Sequence, residues 1–244
     1  MLRRIATIGI FVATVVPVSA IGGEAPRSSG PAATPIPKLP PVRDFARRVD
    51  NKYFPLTPGT QFLYRGKQDG KPRKVSVLVT HKTKTILGIR AVVVLDQVLV
   101  GGKPEERTYD WYAQDKRGNV WYLGEDSSDF VTGKWVRSDG SWQAGVHGAR
   151  AGIVMEANPA VGDVYRQEYY KGHAEDMAGV LKTGGSVSVP YGTFHGTLVT
   201  KEWTPLEPGV VEQKYYVRGF GNLRTVMVKG GKEEELLVSV TRNG

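Results

Sequence analysis

The chain has 244 residues, with 33 lysines and arginines against 24 aspartates and glutamates, a formal net charge of +9, and no cysteine. Without cysteine there are no disulfides, thiolate metal sites, iron–sulfur clusters or cysteine nucleophiles. Hydrophobic residues make up 40% of the chain, and 5 Trp, 11 Tyr and 7 Phe add aromatic surface, which argues against global disorder.

The N-terminus has the three parts of a secretory signal peptide. Arg3 and Arg4 give a positive start, residues 5–16 are uncharged and mostly apolar, and small residues precede an exit at Ala20. This apolar run is shorter than the roughly 20 residues that a membrane-spanning helix needs. We therefore predict a signal peptide over 1–20, cleavage near Ala20, no membrane span, and a secreted, periplasmic or cell-envelope location.

A proline-rich stretch follows the signal. Six prolines lie within residues 21–42, among Ser, Ala and Gly. This composition supports neither a helix nor a strand ladder, so we predict an extended linker. We place a β domain at 43–244 and expect one short helix near its start, at Asp44–Asp50.

Beyond Asn51, apolar residues recur at every second position, as in Val75, Val77 and Val79. This alternation predicts β-strands, and Gly-containing turn dipeptides between them are spaced for hairpins. Within this body, His173–Leu181 is the segment that we predict to be helical. The predicted class is mainly β with little helix.

An internal repeat is predicted from four landmarks that recur in the same order at offsets of 103 or 104 residues. The pairs are Gly59 with Gly162, Gly88 with Gly192, Trp111 with Tyr215, and Gly118 with Gly221. We predict two similar antiparallel units, about 51–125 and 159–244, with 126–158 as a bridging segment. Because each unit has one uncovered apolar face, the two should pack as one barrel or sandwich with pseudo-two-fold symmetry.

The segments FPLTPGTQFLYRG (54–66) and YYVRGFGNLRTV (215–226) resemble exported bacterial β-proteins that have no assigned activity. In outline the pattern is similar to LolA-like or lipocalin-like half-barrels. Those half-barrels hold apolar ligands, so the resemblance implies export and a ligand held by a curved sheet. It implies no catalytic residue at any position.

The first candidate site comes from an aromatic block, eight residues between positions 109 and 142. Alternation along its first strand puts polar residues on the face opposite Trp111, and the repeat offset aligns them with a second polar set. If the two units face each other, these residues meet around a ligand; the alternatives are core packing and ion pairs on the outer surface. The candidate ligand-binding residues are Asp110, Tyr112, Gln114, Lys214, Tyr216 and Arg218.

The second candidate site is a carboxylate set, Glu168, Glu175 and Asp176, beside His173. Carboxylates can act as acid and base, which leaves open a hydrolase or lyase acting on an envelope polysaccharide. On a helix, His173 and Asp176 would share a face and could contact a divalent ion, although a metal site needs more ligands than two. The alternative is a solvated helix start with acids near its positive end.

Other patterns are less informative. Glu125–Asp129 superficially suggests a calcium loop, but the required Gly and terminal Glu are missing, so we predict a polar turn. The sequence has no G-x-S-x-G, phosphate loop or dinucleotide fingerprint. Basic residues are scattered among the predicted strands, which favours solvated faces over a nucleic-acid groove and leaves a weak attraction to anionic envelope surfaces.

Together these patterns predict an exported binding protein, without a cofactor and with no nucleic-acid partner. Its ligand would be an apolar or amphipathic small molecule, or an envelope glycan, held between two β repeats. Enzymatic activity is the less favoured class, represented by the carboxylate-dependent hydrolase or lyase. The third class is a structural module of the envelope. An enclosed apolar cavity would indicate the binding protein, an open cleft with facing carboxylates would indicate the enzyme, and a filled core would indicate the structural module.

Overall fold

The computed structural model describes residues 34–242. Within this range the chain forms nineteen strands and one short 3-10 helix, Val42–Asp44. No helix in the described range is long and apolar enough to cross a membrane. The predicted signal peptide and most of the predicted linker lie outside the described residues.

The strands alternate with short turns along the whole described chain. The first ten are β1 (Asp50–Asn51), β2 (Phe54–Pro55), β3 (Thr60–Gln68), β4 (Lys71–Ile86), β5 (Ile89–Val100), β6 (Lys103–Gln114), β7 (Val120–Val131), β8 (Lys134–Arg137), β9 (Trp142–Gln143) and β10 (Arg150–Met155). The other nine are β11 (Val164–Arg166), β12 (Glu168–Tyr169), β13 (Met177–Thr183), β14 (Ser186–Val189), β15 (Gly192–His195), β16 (Leu198–Trp203), β17 (Val211–Val217), β18 (Gly221–Lys229) and β19 (Glu233–Arg242).

Most of these strands belong to one antiparallel sheet. Its order is β11-β13-β16-β17-β18-β19-β3-β4-β5-β6-β7-β10-β12, and β8 and β9 pair with β7 beside this path. The hairpins β1–β2 and β14–β15 are separate. The sheet curls into a nearly closed barrel, which confirms the predicted mainly β class with a single barrel.

One short segment brings the two edges of the sheet together. Its first part, β11, pairs with β13, and its second part, β12, pairs with β10. Gln167, between them, donates its backbone N–H to the Asp176 carbonyl at 2.8 Å. On the other side, a Cβ at Gly152 would overlap the backbone of Arg166 and Gln167. The barrel is therefore closed by a segment that changes partner at a single residue.

The strand order is compatible with the predicted repeat. Strands β3 to β7 are consecutive neighbours, and so are β11, β13, β16, β17 and β18. Trp111 lies on the fourth strand of the first run and Tyr215 on the fourth strand of the second. The pseudo-two-fold symmetry itself stays a prediction, which superposition of the two runs would test.

The described part of the N-terminal segment lies against the outside of the barrel. Phe45 forms an isolated β-bridge with Asp115, and its ring meets Trp121 edge-on with 6.5 Å between centroids. Upstream, Arg166 Nε donates a hydrogen bond of 2.9 Å to the Thr34 carbonyl. The last residues of the predicted linker therefore contact the folded body.

The local helix predictions were wrong. Most of His173–Leu181 lies in β13, where pairing with β16 buries Ala178 and Val180. Asp44–Asp50 contains only the end of the 3-10 helix and the start of β1. In both segments, pairing and packing against distant parts of the chain override a weak local helix preference.

The predicted polar turn at Glu125–Asp129 was also wrong. The whole segment lies in β7, with Glu125 opposite Asp110 and Asp129 opposite Glu106. The sequence looks like a turn because its strand residues are polar. Glu125 is nevertheless 2% exposed, because this barrel places acids on its inner face.

Closure of the barrel gives a test of the fold. We expect Gly152→Ala to destabilise the protein by about 1–3 kcal/mol, because the new methyl group must displace the backbone at positions 166 and 167. Chemical denaturation measures this change. Gly209→Ala is the control, since a Cβ there meets nothing within 4 Å. Equal stability of the two variants would contradict the closing contact.

Candidate functional site

The inner face of the barrel carries an excess of acids over bases. The buried carboxyl residues of this set are Asp96, Asp110, Glu125, Glu168, Asp176, Glu202, Glu212, Glu233 and Glu235. Among the described residues, the buried cations are Arg73 and Lys214. Charges are costly in an interior of low polarity, so most of these acids are stable there only in their neutral form.

Arg73 contacts carboxylates two strands away. Its Nε lies 2.5 Å from Glu235 Oε1 and 3.0 Å from Glu233 Oε1, and its Nη1 donates to Gln68 Oε1 at 2.8 Å. On the intervening strand, Gly66 pairs with Glu235 on one side and with Arg73 on the other. Because glycine has no side chain, nothing stands between the guanidinium and the carboxylate.

Lys214 is the second buried cation. Its Nζ lies 2.7 Å from Glu202 Oε2, while Thr200 and Tyr216 donate hydrogen bonds of 2.9 and 3.2 Å to Glu202 Oε1. Burial opposes the charged amine, but the carboxylates of Glu202 and Glu212 outweigh burial and raise the pKa of Lys214. Burial raises the pKa of Glu212 to about 8 although Lys214 opposes the rise.

A third polar cluster forms at a bulge between β6 and β7. The register shifts between the pair Asp110–Glu125 and the pair Tyr112–Tyr122. Because of this shift, the two β7 residues of these pairs, Glu125 and Tyr122, both face inward. The Tyr122 hydroxyl lies 2.6 Å from Asp110 Oδ1 and 2.8 Å from Glu125 Oε2. Its ring stacks on Tyr112 with 4.8 Å between centroids. Burial raises the pKa of Asp110 to about 7.

The structure brings together four of the six predicted ligand-binding residues. Asp110 and Tyr112 are buried on the inner face with Lys214 and Tyr216, and Lys214 stabilises the charged form of Asp110 electrostatically. Both tyrosines are packed, with Tyr112 1% exposed and Tyr216 3% exposed. A role of these residues in ligand binding stays a prediction.

The other two predicted residues, Gln114 and Arg218, lie elsewhere. Gln114 Oε1 accepts hydrogen bonds from the backbone N–H groups of Asp50 and Asn51, at 2.8 and 2.7 Å. Arg218 is exposed, with its guanidinium 5.1 Å from the Tyr53 ring centroid. Gln114 therefore anchors β1, and Arg218 belongs to the outer surface. Side-chain alternation along the strands did not show that Gln114 and Arg218 lie beyond the residues that face the barrel interior.

The predicted carboxylate set is divided by the barrel wall. Glu168 is inside, where Trp142 Nε1 donates to its Oε2 at 2.6 Å, and burial together with the charge of Asp176 raises its pKa. Glu175 is partly exposed and accepts a hydrogen bond of 2.8 Å from the Gly172 N–H. His173 stacks on Tyr170, outside. The expected solvated helix start is therefore wrong for Glu168 and Asp176.

This division also bears on metal binding and catalysis. No group of three or more His, Asp or Glu side chains in the described range could hold a metal ion. Glu168 and Asp176, 0% and 4% exposed, do not face an open cleft with Glu175. The three acids therefore have no shared access to a polysaccharide chain.

Beside the barrel wall lies a pocket of about 580 Å³, here called the outer pocket. Its lining includes Lys84, Trp111, Trp142, Gln143, Tyr170 and His173. The His173 and Tyr170 rings are stacked with 4.3 Å between centroids. Lys84 Nζ lies 3.2 Å from the Trp111 ring centroid, so the ammonium covers one face of that indole.

Sequence reasoning missed Arg73, Glu233 and Glu235 in the interior. A signal was present: Val79, Val77 and Val75 alternate toward Arg73, and Leu237 alternates toward Glu235. Extending the apolar alternation by one or two positions would have placed these charges on the inner face. Lys84 and Tyr170 of the outer pocket had no such signal, because the pocket depends on how loops fold over the wall.

Comparison with known proteins was made at three levels. No protein-family model matches the chain, and no curated protein matches it. Among solved structures it is similar to a protein from Bacteroides fragilis described as exported, with a YmcC-like fold, at 17% identity and a TM-score of 0.45. It is also similar to a protein from Parabacteroides distasonis described as a lipoprotein, at 13% identity and a TM-score of 0.43. Each comparison covers 79% of this chain and 100% of the other.

Similarity at this level carries no inference about ligand, activity or location. Neither structure is described as LolA-like or lipocalin-like. The resemblance to those half-barrels stays a prediction.

The buried acids predict an unusual dependence of stability on pH. A carboxyl whose pKa is raised on folding contributes most below its unfolded pKa, near 4, and loses that contribution as pH rises through the folded value. For Asp110 and Glu212 the folded values are about 7 and about 8. We therefore expect the free energy of unfolding to fall between pH 4 and pH 8.

Asp96→Asn tests the cause of this dependence. Neither carboxyl oxygen of Asp96 has a hydrogen-bond partner in the described structure, and burial with the charges of Asp110 and Glu235 raises its pKa. The neutral amide should raise Tm at pH 8 by about 2–4 °C or more, and change it little at pH 4. Thermal unfolding of the exposed control Asp139→Asn should show no such gain. A wild-type Tm that rises between pH 4 and pH 8 would contradict the prediction.

Proposed function

We propose that the protein is an exported, non-enzymatic binding protein that holds a glycan of the cell envelope in the outer pocket. The observation that supports this most is the combination, in one pocket of about 580 Å³, of aromatic rings with several hydrogen-bonding side chains. Pockets of this size and composition suit a ligand of one to a few sugar rings. Export is proposed from the signal-like N-terminus.

The composition of the barrel interior favours the outer pocket as the binding site. An apolar ligand among buried carboxyl groups would leave those groups without hydrogen-bond partners, which is energetically costly. The inner tyrosines also already contact one another, as the stacked Tyr112 and Tyr122 rings show. Of the ligands expected from the sequence, an acyl chain inside the barrel is therefore disfavoured relative to a glycan outside it.

The outer pocket offers ring surface for the C–H face of a sugar and polar side chains for its hydroxyl groups. Tyr170 and His173 offer ring surface, on which the C–H face of a sugar can stack. Gln143 and Asp139 offer a donor and acceptors to sugar hydroxyls. The face of Trp111 is occupied by Lys84, so a ligand would first contact the half-buried Tyr170 and His173 pair.

The burial of the acids favours binding of a glycan without its cleavage. Glu168 is fully buried and engaged by Trp142, so it is inaccessible to a polymer in the outer pocket. A structural module of the envelope is the remaining alternative. It differs from the proposal in predicting no affinity for any small ligand.

Calorimetric titration separates these functions. We expect N-acetylglucosamine oligomers to bind and palmitate and lysophosphatidylcholine not to bind. His173→Ala removes a stacking ring and should weaken oligosaccharide binding by about fivefold or more. His195→Ala, an exposed histidine on β15 outside the pocket, is the matched control and should bind as wild type does.

Two results would contradict the proposal. Binding of palmitate but of no oligosaccharide would indicate that the ligand is apolar. No binding in any of the three titrations would favour the structural module.

A further inference from the structure

A second pocket, here called the basic pocket, has a volume of about 620 Å³ and a strongly cationic rim. The charged side chains that line it are Arg47, Arg48, Lys82, Arg90 and Asp50, together with His81. They come from three parts of the chain: the segment that leads into β1 together with its first residue, the middle of β4 and the start of β5. Among the described residues, four cations therefore surround one cavity whose lining has a single carboxylate.

A bulge in β4 fixes one wall of the basic pocket. The register with β5 passes from Val79–Val94 to Thr83–Val92, so residues 80–82 stand opposite the single residue between those partners. Thr80 Oγ1 donates to the Val93 carbonyl at 2.7 Å and accepts from the Lys82 N–H at 3.1 Å. These bonds hold the bulge closed and direct Lys82 to the rim. Bulges commonly place side chains at functional sites in this way.

The opposite wall is anchored to the barrel through Gln114. The Ala46 N–H donates to the Gln114 carbonyl at 2.8 Å, directly before the two arginines of the rim. Gln114 Nε2 donates to Asp50 Oδ1 at 2.6 Å. Asp50, the one carboxylate that the described part of the chain contributes to the lining, is therefore already bound by an amide. The chain carrying Arg47 and Arg48 is held at both ends.

No carboxylate between residues 34 and 242 forms an ion pair with the cations of the rim. The ion pairs of the described structure involve other basic residues, and none joins Arg47, Arg48, Lys82 or Arg90 to a carboxylate. Cations gathered around one cavity repel each other and attract anions into it. Arginine is also well suited to two-point contacts with carboxylate or phosphate oxygens.

The floor and rim of the pocket indicate the body of the ligand. Leu56, Pro58 and Val92 give apolar surface, and Thr57 and Thr83 give hydroxyl groups. The volume exceeds what a free inorganic anion fills and suits a ligand of several rings. The exposed large hydrophobic residues of the described structure lie elsewhere, so the pocket lacks the apolar rim that would insert into a bilayer.

We propose that the basic pocket binds an anionic glycan, meaning a sugar chain that carries carboxylate or phosphate groups. The arginines and Lys82 bind the anionic groups, and the threonines and apolar floor contact the sugar rings. This site is separate from the outer pocket, and its occupancy does not depend on the function proposed there.

The test compares two double variants of equal charge change. Lys82→Gln with Arg90→Gln removes two cations from the pocket, and Lys67→Gln with Arg65→Gln removes two exposed cations from β3. The probes are trigalacturonate, glucose 6-phosphate, inorganic phosphate and vesicles containing phosphatidylglycerol. We expect wild type and the β3 variant to bind trigalacturonate or the sugar phosphate with affinities within about twofold, and the pocket variant to bind about tenfold more weakly or worse.

Each contrary result overturns the proposal in a recognisable way. Equal weakening in the two double variants would show that general surface charge attracts the anion. Binding of vesicles but of neither sugar would indicate a membrane surface, and equal affinity for inorganic phosphate and the sugars would indicate an adventitious ion only. Binding of neutral N-acetylglucosamine oligomers, measured in the pocket variant, separates failure here from failure of the outer pocket.

Discussion

Two buried cations, Arg73 and Lys214, hold together an interior that would otherwise consist of mutually repelling acids. Each contacts a carboxylate within 3 Å. A carboxylate in a closed barrel is stable only if a cation or a proton balances its charge. The two cations fix where ionised carboxylates lie, and burial raises the pKa of acids such as Asp96, Glu125 and Glu168, which favours their protonated form. Removing either partner of such a pair typically costs about 3–5 kcal/mol, because the other charge stays buried.

This constraint is the reason that we propose ligand sites outside the barrel. The inner face carries packed aromatic rings and buried carboxyl groups, which suits it to stability rather than to holding an apolar ligand. Both proposed binding sites lie on the outside of the wall, where loops and bulges form concave surfaces. The outer pocket offers aromatic rings with polar groups and charges of both signs, while the basic pocket offers four cations that no carboxylate of the described residues pairs with. The modest net positive charge of the chain is thus concentrated, in part, at one site.

The sequence predicted the strands, because alternation is a direct consequence of strand geometry. It offered a meeting of Asp110 with Lys214 inside the barrel as one alternative beside an ion pair on the outer surface. It did not predict β13, because the residues His173–Leu181 have no strong local preference and their pairing partner lies far along the chain. The acidic residues of the interior also led to a wrong prediction. Because acids are common at turns, Glu125–Asp129 was predicted to be a turn, although it lies in β7. The pockets depend on bulges and on register, and neither has a signature in composition.

Infrared spectroscopy of the folded protein at pH 7 tests the central claim most directly, because protonated carboxyl groups have a carbonyl stretch distinct from that of carboxylates. The account predicts that bands of protonated carboxyl groups persist at pH 7 and exchange slowly with deuterated solvent. It also predicts that Asp96→Asn removes part of that signal. A spectrum with carboxylate bands alone would contradict the account, because the interior acids would then be ionised and balanced by cations from outside the chain.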